Sequence, residues 1–160
     1  MTLGPESFEI RPMMPADLDK VLVLERRCFA DPWPRESFEI ESSGDQGVHW
    51  SMVALRGQRL AGYVIAWYVL DKAHLANLAV SPMYRHLGLG RQLVELALEE
   101  ARTRGARGMD LEVRPTNEAA TALYSKMGFR LAGKRKGYYR GTPGCEDALV
   151  MTFDLSGSSD

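Results

Sequence analysis

The strongest constraint on the fold lies between Ala73 and Thr103. An apolar run, Ala73–Val80, stops at Ser81-Pro82. A helical pattern then opens around Gly88-Leu89-Gly90, with Leu89, Leu93, Leu96 and Ala97 on one face. A strand that feeds a helix through a short proline turn lays that helix against a sheet, which points to a layered α/β architecture. The junction also has chemical character. Backbone N–H groups at a helix start lack intrahelical acceptors and sit at the positive end of the helix dipole. Glycine there removes the Cβ atoms that would keep a ligand away from them. A phosphate or pyrophosphate suits such a place, and Arg85 and Arg91 are positioned in sequence to add charge-assisted contacts.

The rest of the chain alternates in the same way. Phe8–Arg11 reads as a brief strand. Pro15 suits a first helical turn, and Leu18, Val21, Leu22, Cys28 and Phe29 share one helical face. The prolines of Ala30-Asp31-Pro32-Trp33-Pro34 interrupt that helix, and Glu36–Glu41 forms a short one after it. Trp50–Leu55 and Leu60–Leu70 read as strands joined by Arg56-Gly57-Gln58-Arg59. A helix over Gln92–Thr103 stops at Gly105, and Met109–Arg114 is a strand. Asn117 caps a further helix that carries Ala120, Leu123, Tyr124 and Met127 on one stripe and ends at Gly128. Phe129–Lys134 and Ala148–Leu155 close the chain as a hairpin with a long, Gly-rich, Tyr-bearing loop between them. The expectation is one α/β (α+β) domain over residues 1–155, with Ser156–Asp160 as a frayed tail.

Composition excludes several functions. A chain of 160 residues buries about two-thirds of its unfolded surface, enough for a core without staples. A net charge of -1 provides no basic field for nucleic acid. The longest nearly uninterrupted apolar run, Leu60–Leu70, is too short for a bilayer and is broken by Gly62. Glu6 and Glu9 stand where a signal peptide would be basic, so a cytoplasmic location is expected, with no membrane partner. The 2 cysteines, Cys28 and Cys145, have neither CxxC spacing nor a histidine cluster, which argues against a disulfide scaffold and against a metal site.

Taken alone, the glycine loop has competing readings. It could be a turn that simply needs two glycines. A dinucleotide fold is suggested by Gly88-Leu89-Gly90 with Glu112 about twenty residues further on, but Leu93 stands at the third glycine and too little chain remains. A nucleoside-triphosphate loop fails for want of Gly-Lys-Ser/Thr.

The wider pattern resembles the Gcn5-related N-acetyltransferases. Arg85-xx-Gly88-x-Gly90 after an apolar strand looks like their acetyl-CoA loop. Asn77-Leu78-Ala79-Val80, Leu111-Glu112-Val113-Arg114 and Asn117-xx-Ala120-xx-Leu123-Tyr124-xxx-Gly128-Phe129 follow the family's order. Asp31-Pro32-Trp33, Tyr138-Tyr139 and Glu146-Asp147-Ala148 are similar to one branch, the RimI-type ribosomal-protein-alanine N-acetyltransferases. The likeness runs from about Glu9 to Leu155; the loop Arg140–Cys145 is longer than the branch pattern.

This resemblance implies a mixed sheet of about seven strands flanked by about four helices, with the strands around Leu75–Val80 and Met109–Arg114 splayed to take the pantetheine arm of acetyl-CoA. Leu78, Ala79, Val80, Arg85, His86, Leu87, Gly88, Leu89, Gly90, Arg91, Asn117 and Tyr124 become the expected cofactor contacts. The Val80 N–H is suited to polarise the thioester carbonyl. A protein α-amine, with pKa about 7.7–8.0, must lose a proton before attack, and the departing thiolate gains one. The resemblance gives the first task to Glu112 and the second to Tyr124. Core packing is the competing reading for Tyr124, as solvent exposure is for Glu112. Trp33, Tyr138, Tyr139 and Glu146 are expected to border the peptide. His74 and His86 read as ordinary surface residues with no acid to orient them. The implied partner is a protein N-terminus, the alanine of a small-subunit ribosomal protein of the S18 type. A small-amine acetyltransferase (polyamine, antibiotic or amino acid) and a non-catalytic acyl-CoA-binding module are the alternatives.

Overall fold

Apolar residues alternate along the central strands because both sheet faces are covered. Val53, Leu55, Tyr63 and Ile65 pack on one side with Val21, Leu22 and Phe38, while Ala54, Val64 and Ala66 pack on the other with Leu89, Leu93, Val94 and Ala97. The computed structural model describes residues 8–44, 47–141 and 144–157, the side chains of residues 137–146 lying outside the description.

The strands are β1 (Glu9–Pro12), β2 (His49–Arg56), β3 (Arg59–Val69), β4 (Lys72–Val80), β5 (Gly108–Val113), β6 (Arg130–Gly141) and β7 (Gly144–Asp154). They form one 7-stranded sheet in the order β1-β2-β3-β4-β5-β7-β6. The β4–β5 pair is parallel and the other neighbours are antiparallel. Helices α1 (Leu18–Cys28) and α2 (Arg35–Ser43) belong to one face, α3 (Leu89–Thr103) and α4 (Glu118–Met127) to the other. The mixed α/β architecture expected from the sequence is therefore present. No helix among the described residues is long and apolar enough to cross a membrane.

Two local features shape the centre. Ile65 pairs with Asn77 and Ala66 with Leu75, which leaves Ala76 as an extra residue in β4. This bulge reverses the alternation: Ala73 and Leu75 pack on the α3 side, whereas Ala76 and Ala79 pack on the α1 side. The parallel pairing of β4 with β5 then runs only from Lys72↔Gly108 to Leu75↔Leu111, although β4 continues to Val80 and β5 to Val113. Beyond Leu75 the two strands part.

The boundaries depart from expectation in two places. Helix α3 begins at Leu89 instead of Gln92, because Gly88 takes a left-handed conformation (φ 83°) that turns the chain straight into the helix. The long loop expected between the last two strands is mostly ladder, with β6 and β7 paired out to Gly141↔Gly144. Glycine content there suggested a loop, yet Gly141 and Gly144 pair with each other in the ladder.

Candidate active site

The junction after Val80 is built tightly. Ser81 N–H donates to Ala61 O (2.8 Å), Tyr84 N–H donates to Ser81 O (2.9 Å), and the Tyr84 side chain is buried. His86 (φ 65°) and Gly88 (φ 83°) are both left-handed. The first helical hydrogen bond of α3 is Gln92 N–H to Gly88 O at 3.0 Å. The N–H groups of Leu89, Gly90 and Arg91 therefore precede any intrahelical acceptor. A Cβ on Gly90 would stand 3.4 Å from Leu123 Cδ2 and 3.7 Å from Val80 Cγ2, so the helix start sits directly against α4 and the end of β4.

The expected cofactor residues take different stations around this junction. Leu89 and Ala79 bury their side chains in the two cores, Leu78, Val80 and Leu87 are half-buried, and His86 and Gly88 are exposed. Two arginines expected on phosphate are engaged within the protein. Arg85 Nε donates to Val80 O (3.2 Å) and its Nη2 to Cys28 Sγ (3.7 Å), while Arg91 pairs with Glu95 at 3.2 Å. Asn117 acts as a cap, accepting from Ala120 N–H at 3.2 Å. The bare N–H groups of α3 and the open edge of β4 suit a diphosphate joined to an amide-bearing arm, and in that sense the residues fit acetyl-CoA. Among the described residues no three His, Cys, Asp or Glu side chains converge as metal ligands.

Glu112 lies one residue past the last β4–β5 pair. Its side chain is 10% exposed, and Arg135 Nη1 of β6 donates to its Oε2. The other oxygen faces His74, with Oε1 3.9 Å from Nε2. His74 Nδ1 in turn lies 2.7 Å from Asp110 Oδ1. This corrects the expectation for His74: the parallel register sets it beside Asp110, so it does have an acid to orient it. Its ring stacks on Trp67 (5.5 Å, 27°), and Trp67 stacks on Trp33 (6.3 Å, 22°), making an aromatic row from the Pro-kinked segment to the carboxylates. Tyr124 occupies the opposite layer, buried in the α3-side core with its ring 5.6 Å from Phe129. Leu111 and Val113 point into that same core, so Glu112 projects from the other face of β5. The side chains of Tyr138, Tyr139 and Glu146 lie outside the described residues; the backbone pairs Tyr139 with Glu146 across the hairpin.

One buried group escaped the sequence reading. Glu25 of α1 is 1% exposed and accepts hydrogen bonds from Trp33 N–H (2.9 Å), Asn77 Nδ2 (2.9 Å) and the Tyr63 hydroxyl. It ties the segment bearing Trp33 to β3 and β4. Burial first, and then the Glu25 charge, hold the Tyr63 hydroxyl well above its ordinary pKa. Burial also pushes the Cys28 thiol up. A charge within the stripe Leu18, Val21, Leu22, Cys28 was the available signal for Glu25. His74–Asp110 required the register, and nothing in the sequence pointed to Arg135.

A sheet split beside a helix N-terminus, with a carboxylate at the split, defines the architecture of an acyl-CoA-dependent transferase. The family model described as "Acetyltransferase (GNAT) family" matches residues 18–129, and the chain belongs to that family: an N-acetyltransferase with acetyl-CoA as donor. It is 40% identical over 141 residues to the [ribosomal protein bS18]-alanine N-acetyltransferase of Salmonella typhimurium, covering 88% of this chain and 93% of the relative. The protein of that description from Haemophilus influenzae is 30% identical over 140 residues, covering 87% and 93%. Among solved structures, the ribosomal-protein-S18-alanine N-acetyltransferase from Escherichia coli superposes with TM-score 0.84 at 35% identity, covering 96% of this chain and 97% of that one. Arabidopsis thaliana NAA60 in complex with acetyl-CoA shares the fold, with TM-score 0.85 at 22% identity over 94% of this chain and 99% of that one.

Proposed function

We propose that this enzyme acetylates the N-terminal amine of a protein, with the N-terminal alanine of ribosomal protein bS18 as its substrate. The observation that carries the chemistry is the placing of Glu112 where β4 and β5 separate, with Oε2 held by Arg135 and Oε1 facing His74 Nε2 at 3.9 Å. The extent of the likeness, about nine-tenths of both chains for the Salmonella typhimurium enzyme, supports the substrate.

Acetyl-CoA supplies an activated acetyl thioester. The N–H groups of Leu89, Gly90 and Arg91 hold its diphosphate, and the edge of β4 beyond Leu75 pairs with its amide-bearing arm. The Val80 N–H polarises the thioester carbonyl. Glu112 Oε1 takes a proton from the incoming ammonium, directly or through a water, because only the neutral amine has a lone pair to attack with. Tyr124 gives its hydroxyl proton to the departing sulfur. The row Trp33–Trp67–His74 lines the approach of the peptide.

The test is incubation with acetyl-CoA and a panel of alanine-initiated peptides, lysine-bearing peptides with blocked N-termini, and small amines, read by mass. Acetyl transfer to the free α-amine is the expected result. Transfer confined to lysine side chains or to small amines overturns the assignment.

A further inference from the structure

Glu112 is largely shielded from bulk water, and His74 beside it is more exposed. Arg135 occupies Glu112 Oε2, and the carboxylate is 10% exposed against 30% for the His74 side chain. Asp110 Oδ1 lies 2.7 Å from His74 Nδ1. An ionised carboxylate only accepts hydrogen bonds, so this contact fixes the ring proton on Nδ1 and leaves a lone pair on Nε2. That lone pair faces Glu112 Oε1 at 3.9 Å. The separation exceeds a direct hydrogen bond, and a side-chain rotation or one bridging water spans it. Stacking on Trp67 holds the plane of the ring.

We infer that His74, oriented by Asp110, is the proton outlet of the site, a relay that resets Glu112 after each deprotonation; this rests on Glu112 being the base. In the first step an N–H bond of the ammonium breaks and an O–H bond forms at Glu112 Oε1. That O–H bond then breaks as an N–H bond forms at His74 Nε2. The resulting imidazolium, its charge balanced by Asp110, releases the proton to water, and both side chains return to their starting states. His74 acts through Glu112 and is a positioning and relay residue. Its counterparts from the neighbouring elements are Asp110 and Glu112 on β5, Trp67 on β3 and, through Glu112, Arg135 on β6.

The first readout needs no turnover. Long-range proton–nitrogen spectra of the folded protein at neutral pH should show His74 protonated at Nδ1 and bare at Nε2, and the reverse tautomer overturns the relay. The second uses His74→Phe, which keeps a flat ring on Trp67 and removes both nitrogens. The expected result is a fall in kcat of about tenfold to a hundredfold with the peptide KM within about twofold of wild type; an unchanged kcat overturns the proposal. In His74→Ala, added imidazole should restore a saturable part of the lost kcat, and a loss that imidazole leaves untouched counts against the relay. Glu112→Gln separates the two levels. If it retains wild-type turnover the reading of Glu112 itself fails, whereas a slow Glu112→Gln beside a normal His74→Phe removes only the relay.

Discussion

At the scale of single residues, two side chains bear the proposed chemistry and one buried carboxylate bears the geometry. Glu112→Gln should lower kcat/KM by about a hundredfold to ten-thousandfold while acetyl-CoA affinity stays within a few-fold. Tyr124→Phe should slow turnover with the melting temperature nearly unchanged, since the ring still packs against Phe129; steady-state kinetics at wild-type rate would return Tyr124 to a packing role. Glu25 makes a different prediction. Its removal leaves the Tyr63 hydroxyl, Asn77 Nδ2 and Trp33 N–H without their acceptor in a closed core. Glu25→Ala should therefore cost about 3 kcal/mol or more in urea unfolding, because each stranded donor costs about 1–3 kcal/mol. A loss below about 1 kcal/mol would mean that water or repacking satisfies them. Glu112 was legible as a candidate because its strand, LEVR, sits in a motif that resembles a known family. His74 was not, because its meaning depends on Asp110, a neighbour 36 positions away that only the β4–β5 register brings close.

At the scale of elements, helix termini and a bulge do the positioning. Gly88 could be read as a loop glycine from sequence, but its left-handed φ, which starts α3 directly, could not. Asn117 was legible as a cap from its type and place, and it caps. The Ala76 bulge left no mark in the sequence, since alanine serves equally in a regular strand; yet it puts Asn77 within reach of Glu25. The length of the hairpin was not legible, because glycine more often breaks a strand, whereas here Gly141 and Gly144 pair within the ladder. At the front of α1, Asp17 receives both Nη1 (2.8 Å) and Nη2 (2.9 Å) of Arg11 and the N–H of Met14 (2.7 Å), joining β1 to the helix. Hydrogen bonding to Arg11 leads the effects that hold its carboxyl below the ordinary value. A depressed folded pKa stabilises the protein above the unfolded pKa of about 3.9 and loses that contribution as pH falls through the folded value. Asp17→Asn should accordingly unfold more easily than wild type at neutral pH, and the difference should shrink as acid takes the pH below about 4. A constant difference across pH in urea titrations would remove the ion pair from the account.

At the scale of the whole molecule, one sheet with two covered faces opens where β4 and β5 part. The α3-side core holds Tyr124, the α1-side face carries Glu112 and His74, and the strands between them part after Leu75. Strand count and helix count were legible in the sequence because alternating and helical periods mark each element, whereas which helix covers which face was not, since it depends on contacts between distant segments. The split was legible only through family resemblance, since unpaired strand edges leave no periodic trace. The proposed cofactor uptake belongs to this scale, because the reading draws on the α3 terminus, the β4 edge and the gap together. The most direct measurement is a calorimetric titration of folded protein with acetyl-CoA, run beside folded Gly88→Val. Saturable uptake of one molecule per chain, lost in the variant, is the predicted result. An absence of binding heat across temperatures, or equal uptake by Gly88→Val, would contradict it.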